Sequence, residues 1–335
     1  MSAASSRCLW LVARTIFGLA LAAAAERTLL RAQPVFSIET AEAQLRPKFP
    51  QIGRVAEALP PGVGARENIR YASPAGEALE LDVYRPEVPG FLPAVVIVHG
   101  GGWETGSRQM ERSLAKHLAA RGYVAVPISY RLGPAGKFPA ALHDVKAAIR
   151  WLRAHADEFG VDAGRIGILG ASAGGQLAAL VGAGNGVAAL EGDGVGAEQS
   201  SVVQAVVDID GLADFTEPDF VAAQTTKPSA PTRFLGGSFA ERAHVWRAAS
   251  ALTHVNVQSA PTLFLNSTSP SPVLPGRAAM HDRLVALGID SLIVVVPDTP
   301  HPFWLFHPWF ERVVDESDRF LSRHLKSSVE PRQAR

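Results

Sequence analysis

A serine surrounded by small residues is the first position in this sequence that could do chemistry. Residues 170–174 (GASAG) have the pattern G-x-S-x-G and follow residues 165–169 (RIGIL), which are predicted to form a strand. A helix is predicted from about Ala173. A tight strand-to-helix turn holds the serine hydroxyl at its tip, near helix N–H groups that favour negative charge. The pattern predicts that Ser172 is a nucleophile; the alternative is a small-residue turn with an incidental serine.

A glycine-rich turn offers backbone N–H groups for the same reaction. Residues 99–103 (HGGGW) follow the continuous apolar run 94–98 (AVVIV), which is typical of a strand covered on both faces. When a nucleophile attacks a carbonyl group, negative charge develops on the oxygen, and each preorganised N–H donor stabilises it by about 3–4 kcal/mol. We expect Gly101, Gly102 and Ala173 to supply these donors and Trp103 to line the pocket. A phosphate-binding turn is disfavoured, because no Lys-Ser or Lys-Thr pair follows.

A serine nucleophile needs a base, and His301 is the best placed of the ten histidines. It lies in residues 297–303 (PDTPHPF), directly after the predicted strand 292–296, and so belongs to a loop that follows a late strand. The chain order, with the serine first and the histidine last, fits this role. His307 is the alternative base, unless it packs within the aromatic cluster around it.

Alternating strands and helices must position these residues. Strands are predicted at 78–84, 94–98, 123–130, 165–169, 202–210, 262–265 and 292–296, and helices at 108–121, 139–159 and from 173. This alternation predicts an α/β fold with a mostly parallel central sheet and helices on both faces. Reactive groups in such sheets collect at the carboxyl ends of the strands. The insertions at about 182–201 and 211–250 are expected to lie over that edge as loops or a small cap.

Composition and the chain termini narrow the function classes. The 335 residues include 32 basic and 32 acidic side chains, a balance that argues against nucleic-acid binding. One cysteine, Cys8, excludes a disulfide framework. Residues 1–25 read as a signal peptide with an apolar stretch too short to span a bilayer, so we expect export and no membrane span after cleavage. The alternatives are an N-terminal amphipathic helix and a membrane anchor formed by Leu9–Ala25. A loosely packed lead-in (26–65), a catalytic domain (66–325) and a tail (326–335) follow.

Four blocks of sequence resemble the α/β-hydrolase superfamily. Residues 99–103, 130–134 (YRLGP), 138–141 (FPAA) and 170–175 are similar to its hormone-sensitive-lipase-like and acetyl- or feruloyl-esterase-like branches. The resemblance covers about residues 65–325 and implies a serine esterase without a cofactor or metal, with His301 as the base. Residues 298–310 also resemble exported esterases of plant polysaccharides, including pectin. This implies a short ester of a carbohydrate, acetyl or methyl; an esterase of lipids or metabolites and a non-catalytic binding protein remain alternatives.

The third catalytic group departs from the superfamily pattern. The acid usually follows the strand predicted here at 262–265, but residues 260–281 contain no Asp or Glu. Some members carry the acid at the end of the preceding strand, where Asp210 is nearest to the carboxyl edge. Asp298 is too close to His301 in sequence. The other candidates are Asp208, Asp214 and two neutral groups, Asn266 and Ser269.

Substrate contacts are expected from aromatic and cationic side chains. Trp304 and its aromatic neighbours follow the proposed base, where they would stack on sugar rings or, equally, pack a helix against the sheet. Arg131, Lys137 and Arg233 lie on predicted loops and are candidates for contacts with an acidic polymer, although each is also an ordinary surface charge. The expected partner is a small-molecule or polysaccharide ester.

Overall fold

Apolar runs of the sequence form the strands at the centre of the fold. A computed structural model of the chain describes residues 36–224, 228–268 and 274–326; the predicted signal peptide and Ser269 lie outside the described residues. The strands are β1 (Gly53–Arg54), β2 (Val63–Ala72), β3 (Leu79–Pro86), β4 (Leu92–Val98), β5 (Val124–Ile128), β6 (Val161–Ala171), β7 (Val206–Ile209), β8 (Thr262–Asn266), β9 (Ser291–Val295) and β10 (Phe306–His307).

One eight-stranded sheet contains the strands β2 to β9. Its order is β2-β3-β5-β4-β6-β7-β8-β9. β3 pairs antiparallel with both of its neighbours, β2 and β5, and the strands from β5 across to β9 pair in parallel. Residues 94–98 of β4 are completely buried, as expected for a continuous apolar run in a covered strand. The predicted α/β class with a mostly parallel sheet is confirmed.

Helices cover both faces of this sheet. They are α1 (Ile38–Leu45), α2 (Arg112–Ala120), α3 (Ala140–Ala154), α4 (Ala156–Phe159), α5 (Ala173–Ala183), α6 (Pro218–Ala223), α7 (Ala230–Phe234), α8 (Phe239–Ala249), α9 (Ala251–His254), α10 (Arg277–Ala286) and α11 (Phe310–Leu325). The apolar stripes of α3 and α5 enter one hydrophobic core, and those of α2 and α11 enter a second. None of the described helices combines the length and apolar character that crossing a bilayer requires.

The described part of the lead-in, residues 36–65, is mostly exposed or half-buried and contacts the core through three buried residues. Ala41, Ile52 and Val63 are buried in the core beneath α2 and α11, and β1 pairs antiparallel with β10. The last three residues of the lead-in begin β2, an edge strand in which five of the ten residues are exposed. Its register also shifts between Arg66 and Ile69, so no regular alternation is visible.

Only the second insertion reaches the cavity above Ser172, within the described residues. Leu212, Phe220 and Pro231 of residues 211–250 line that cavity. Residues 182–201 do not line it and pack along α3 instead. The Glu191 carboxylate lies 2.7 Å from Lys146 Nζ and 3.3 Å from Arg150 Nη1. The expectation for 182–201 is therefore wrong.

Candidate active site

Ser172 lies at the tip of the turn between β6 and α5. Its φ is 55°, an uncommon conformation for a residue with a side chain. A Cβ at Gly170 would lie 2.0 Å from the Gly174 carbonyl oxygen, and one at Gly174 would lie 2.1 Å from that of Val98. The Ser172 N–H donates to Ile209 O at the end of β7 (2.7 Å). The turn therefore needs its glycines and fixes the hydroxyl at the carboxyl edge.

The imidazole of His301 links Ser172 to Asp210. His301 Nε2 lies 3.1 Å from Ser172 Oγ, and His301 Nδ1 lies 2.9 Å from Asp210 Oδ2, both within hydrogen-bond range. With its proton on Nδ1, the imidazole donates to the carboxylate and accepts from the serine hydroxyl. The His301 side chain is 33% exposed and that of Asp210 is 1% exposed. Solvent therefore reaches this pair mainly at the imidazole.

Asp210 follows β7 directly and also contacts the loop after β8. Its φ is 51°, and its Oδ1 accepts the Ser267 N–H at 2.7 Å. The carboxylate thus has one oxygen for the loop and one for the imidazole. The acid comes from β7, yet it is tethered to the loop where the superfamily usually carries it.

The other candidate acids do not reach His301. Asp208 is fully buried, and its Oδ1 accepts the Gly211 N–H at 2.7 Å. Asp214 Oδ1 accepts both the N–H and the hydroxyl of Thr216, each at 2.7 Å. Asn266 is the buried last residue of β8. Of the three candidate aspartates, the structure brings only Asp210 to the imidazole.

The glycine turn after β4 faces the nucleophile. Gly102 and Ala173 line the same cavity as Ser172. Gly101 has a φ of 119°, and a Cβ there would lie 2.1 Å from Thr105 O. Within the described residues, the N–H groups of Gly101 and Gly102 donate to no backbone carbonyl. The turn therefore leaves backbone donors available beside the hydroxyl.

His99 packs inside this turn. Its Nδ1 lies 2.7 Å from Gly100 O, and its ring stacks on Tyr130 with centroids 4.5 Å apart. The Tyr130 hydroxyl donates to His99 O (2.9 Å). Burial lowers the pKa of His99 to about 4, so the imidazole is neutral near pH 7. These contacts hold the turn in shape.

A small apolar cavity lies directly above Ser172. Its volume is about 280 Å³. It extends from the reacting groups to the start of the second insertion and the loop before α10. Its other lining residues are Trp103, Leu212, Phe220, Pro231, Ser267 and Leu274.

A larger cavity of about 960 Å³ lies on the other side of Trp103, which lines both. The indole N–H donates to Gln176 Oε1 at 3.0 Å, and the ring stacks on Phe234 with centroids 4.7 Å apart. Trp103 therefore lines the pocket, as predicted. The larger cavity also has polar lining groups, which include Lys137, Glu241, Ser238 and Gln224.

Trp304 is not placed to contact substrate. It is 1% exposed, and its indole N–H donates to Glu111 Oε1 (3.3 Å). Its ring packs edge-to-face with the His301 ring, with the two ring centroids 5.0 Å apart. Phe303, Phe306 and Phe310 are buried in the same core. The expectation that Trp304 stacks on sugar rings is therefore wrong, because this aromatic segment packs α11 and β10 against the sheet.

The alternative base and two of the candidate cations have structural partners. His307 lies in β10, and its Nδ1 lies 3.0 Å from Glu311 Oε2. Arg131 donates two hydrogen bonds to the Asp144 carboxylate, from Nε to Oδ2 at 2.8 Å and from Nη2 to Oδ1 at 2.7 Å. Arg233 binds Glu104 at 2.5 and 2.6 Å. Lys137 remains as an exposed cation that lines the larger cavity.

Two buried ionisable residues near the site carry no signal in the sequence. Arg277, the first residue of α10, is fully buried, and its Nη1 lies 4.0 Å from Asp210 Oδ1. Glu111 is 1% exposed, and burial raises its pKa to about 8. A lone charged residue ordinarily faces solvent, so neither stands out. Within the described residues, no three His, Cys, Asp or Glu side chains are grouped to hold a metal ion.

The fold and the contacts among Ser172, His301 and Asp210 define a member of the α/β-hydrolase superfamily, as the sequence blocks predicted. The model of the BD-FAE family matches residues 81–279. This is more than half of the chain, and the protein therefore belongs to the BD-FAE family.

Known relatives and solved structures are similar to most of the described chain. LipM, named a probable carboxylic ester hydrolase of Mycobacterium tuberculosis, is 30% identical over 68% of this chain and 54% of its own length. This chain thus spans about half of that relative. A bifunctional GH43-CE protein of Bacteroides eggerthii is 29% identical, with a TM-score of 0.67 over 78% of this chain and 38% of that chain. Thermogutta terrifontis esterase Est2, solved with butyrate bound, is 25% identical. The match has a TM-score of 0.65 and covers 80% of this chain and 97% of the Est2 chain.

Proposed function

We propose that this protein is a serine carboxylic ester hydrolase that acts through an acyl-enzyme. The observation that carries the proposal is the pair of hydrogen bonds from Ser172 Oγ through the His301 imidazole to Asp210. This geometry activates a hydroxyl for attack on a carbonyl group. The name of LipM, a probable carboxylic ester hydrolase, supports the same chemistry.

The reaction assigns a role to each group. His301 Nε2 takes the Ser172 proton as Oγ attacks the ester carbonyl, and Asp210 stabilises the imidazolium that forms. The N–H groups of Gly101, Gly102 and Ala173 donate hydrogen bonds to the carbonyl oxygen as negative charge develops on it. His301 then protonates the leaving alcohol. Water, deprotonated by the same imidazole, releases the acid and restores Ser172.

The two cavities support a short acyl group on a larger polar alcohol. The cavity above Ser172 is small and mostly apolar, and Phe220 and Leu274 are among the side chains that line it. Est2, which holds butyrate in its structure, supports a preference for short acyl groups. The larger cavity beyond Trp103 combines aromatic rings with polar groups, the combination that suits a sugar ring. We therefore favour acetyl esters of carbohydrates as substrates. The alternative is a methyl ester of a uronic acid, in which the sugar is the acyl part, so the larger cavity would hold the acyl group and the small cavity the methoxy group.

The test is hydrolysis of acetylated xylan and methyl-esterified pectin, assayed as released acetate and methanol. The matched control is Ser172→Ala, which retains the fold. We expect wild-type protein to release one of these products and the variant to release none. A series of p-nitrophenyl esters from acetyl to octanoyl separates the alternatives. Preference for long chains would favour a lipid esterase, and no turnover of any ester would favour a non-catalytic binding protein.

We also propose that the protein is exported. Residues 1–25 support this, with Arg7 and Arg14 before an apolar stretch and small residues Ala23 and Ala25 before the expected cut. N-terminal sequencing of protein recovered outside the cytoplasm is expected to begin at Glu26. A mature protein that retains Met1 would overturn this proposal.

A further inference from the structure

Arg277 is a buried cation beneath the catalytic edge. It opens α10, and its side chain is completely buried. Its Nη2 donates to Asp208 O at 2.5 Å, and its guanidinium lies 5.0 Å from the Phe264 ring centre. The side chain thus reaches under the carboxyl ends of β7 and β8.

The guanidinium is not fully hydrogen-bonded. Within the described residues, Arg277 Nε and Nη1 are buried and have no hydrogen-bond partner. Burying a charge this incompletely paired is costly, and burial accordingly lowers the pKa of Arg277. A role limited to holding the strand ends would not require a positive charge, since a neutral donor could bond the same carbonyl.

Two carboxylates share this cation. Arg277 Nη2 lies 3.6 Å from Asp208 Oδ1, and Arg277 Nη1 lies 4.0 Å from Asp210 Oδ1. Burial raises the pKa of Asp208, and the attraction of Arg277 opposes this effect. Asp210 is the second buried carboxylate, and its other contacts are the Ser267 N–H and the His301 imidazole.

We propose that Arg277 is a positioning residue for the reaction, whose buried positive charge, 4.0 Å from Asp210 Oδ1, stabilises the Asp210 carboxylate where it meets His301. This inference rests on the proposed function for its role in turnover. A buried carboxylate near a cation retains its negative charge more readily. Replacing Arg277 by a neutral side chain should therefore make it easier for the Asp210–His301 pair to take up a proton.

Other charges around this pair are few and already bonded. On β7 the only one is Asp208. Beside the start of α10, Asp214 accepts from Thr216, and Glu217 Oε2 accepts the Gly276 N–H at 3.0 Å. The Trp304 ring contacts His301, and the Trp304 indole N–H donates to Glu111 Oε1. Among these described groups, Arg277 is the cation in contact range of Asp210.

The experiment is an NMR titration of the His301 imidazole in full-length Ser172→Ala protein, compared with the same protein carrying Arg277→Met or Arg277→Lys. Methionine removes the charge at similar length, and lysine retains it. We expect the titration midpoint to rise by about one pH unit with methionine and to stay within a few tenths of a unit with lysine. Equal midpoints in both folded variants would overturn the proposal.

A second comparison guards against misfolding. Arg277→Met leaves Asp208 without its cation, so the same replacement is also made in an Asp208→Asn background, which leaves no unpaired charge at that position. The midpoint is expected to rise there as well, relative to Asp208→Asn alone, and an unchanged midpoint would contradict the role of Arg277.

Turnover provides a separate readout. The acid limb of the kcat/KM profile is expected to move upward with methionine and not with lysine. If wild-type protein hydrolyses no ester, the proposed function fails while the NMR titration still tests Arg277. If both variants lose activity with an unmoved acid limb, Arg277 only holds the strand ends.

Discussion

Asp210 Oδ1 accepts the Ser267 N–H at 2.7 Å, so an acid carried by β7 is bonded to the backbone of the loop after β8. The superfamily resemblance places the acid on that loop, which here has none between residues 260 and 281. Because β7 and β8 are paired neighbours in the sheet, a carboxylate at either strand end reaches the same space. The imidazole therefore meets an equivalent group from a different strand.

This relationship predicts that Asp210 and Asp214 differ sharply on substitution. Asp210→Asn is expected to lower kcat by about 10³- to 10⁴-fold, because the amide cannot stabilise the imidazolium. Asp214→Asn is the matched control and should retain most activity, since Asp214 is bonded to Thr216. Steady-state kinetics on p-nitrophenyl acetate measure both. Equal activity of the two variants would show that Asp210 is not the acid.

Glu111 predicts a pH dependence of stability. Burial raises its pKa from the ordinary value of 4.5 to about 8, so the folded state binds a proton that the unfolded state releases. Its stabilising contribution is complete below about pH 4.5 and is lost as pH rises through 8. Glu111→Gln should therefore be more stable than wild type at pH 9, by up to roughly 5 kcal/mol, and closely similar at pH 4. The measurement is denaturant unfolding of both proteins across this pH range. A difference in free energy of unfolding that is the same at every pH would refute the prediction.

The small cavity predicts acyl-chain selectivity. Phe220→Ala removes a ring that lines the cavity above Ser172, so longer acyl chains should fit. The ratio of kcat/KM for octanoyl over acetyl esters is expected to rise roughly tenfold. Phe239→Ala, which alters only the larger cavity, is the control. If both replacements change the ratio alike, the acyl group does not occupy the small cavity.

The larger cavity predicts a charge effect on polymer substrates. Lys137 is an exposed cation in its lining, so Lys137→Glu should lower kcat/KM on partly de-esterified pectin by about tenfold. It should leave p-nitrophenyl acetate unaffected. Lys48→Glu, an exposed lysine that lines neither cavity, is the control. Equal effects of both lysine variants on pectin would mean that the polymer does not enter here.

Local sequence patterns predict part of the site, and the rest depends on contacts between elements that are far apart in the sequence. Ser172 and His301 lie in short segments whose small residues and prolines indicate their turns, and the structure brings the two side chains together. Asp210 was one of several candidates, because the choice depends on which strand end lies beside the imidazole. Trp304 was ambiguous, since aromatic residues at a cleft rim and in a core have the same sequence pattern. Arg277 has no local pattern at all, because its burial depends on strands far away in sequence.

The most direct test of the account is labelling by a fluorophosphonate, followed by peptide mass spectrometry. The account predicts a single adduct on Ser172 in wild-type protein, no adduct in Ser172→Ala, and much slower labelling in His301→Ala. Folded wild-type protein that gains no adduct, or carries it on another residue, would contradict the claim that His301 activates Ser172.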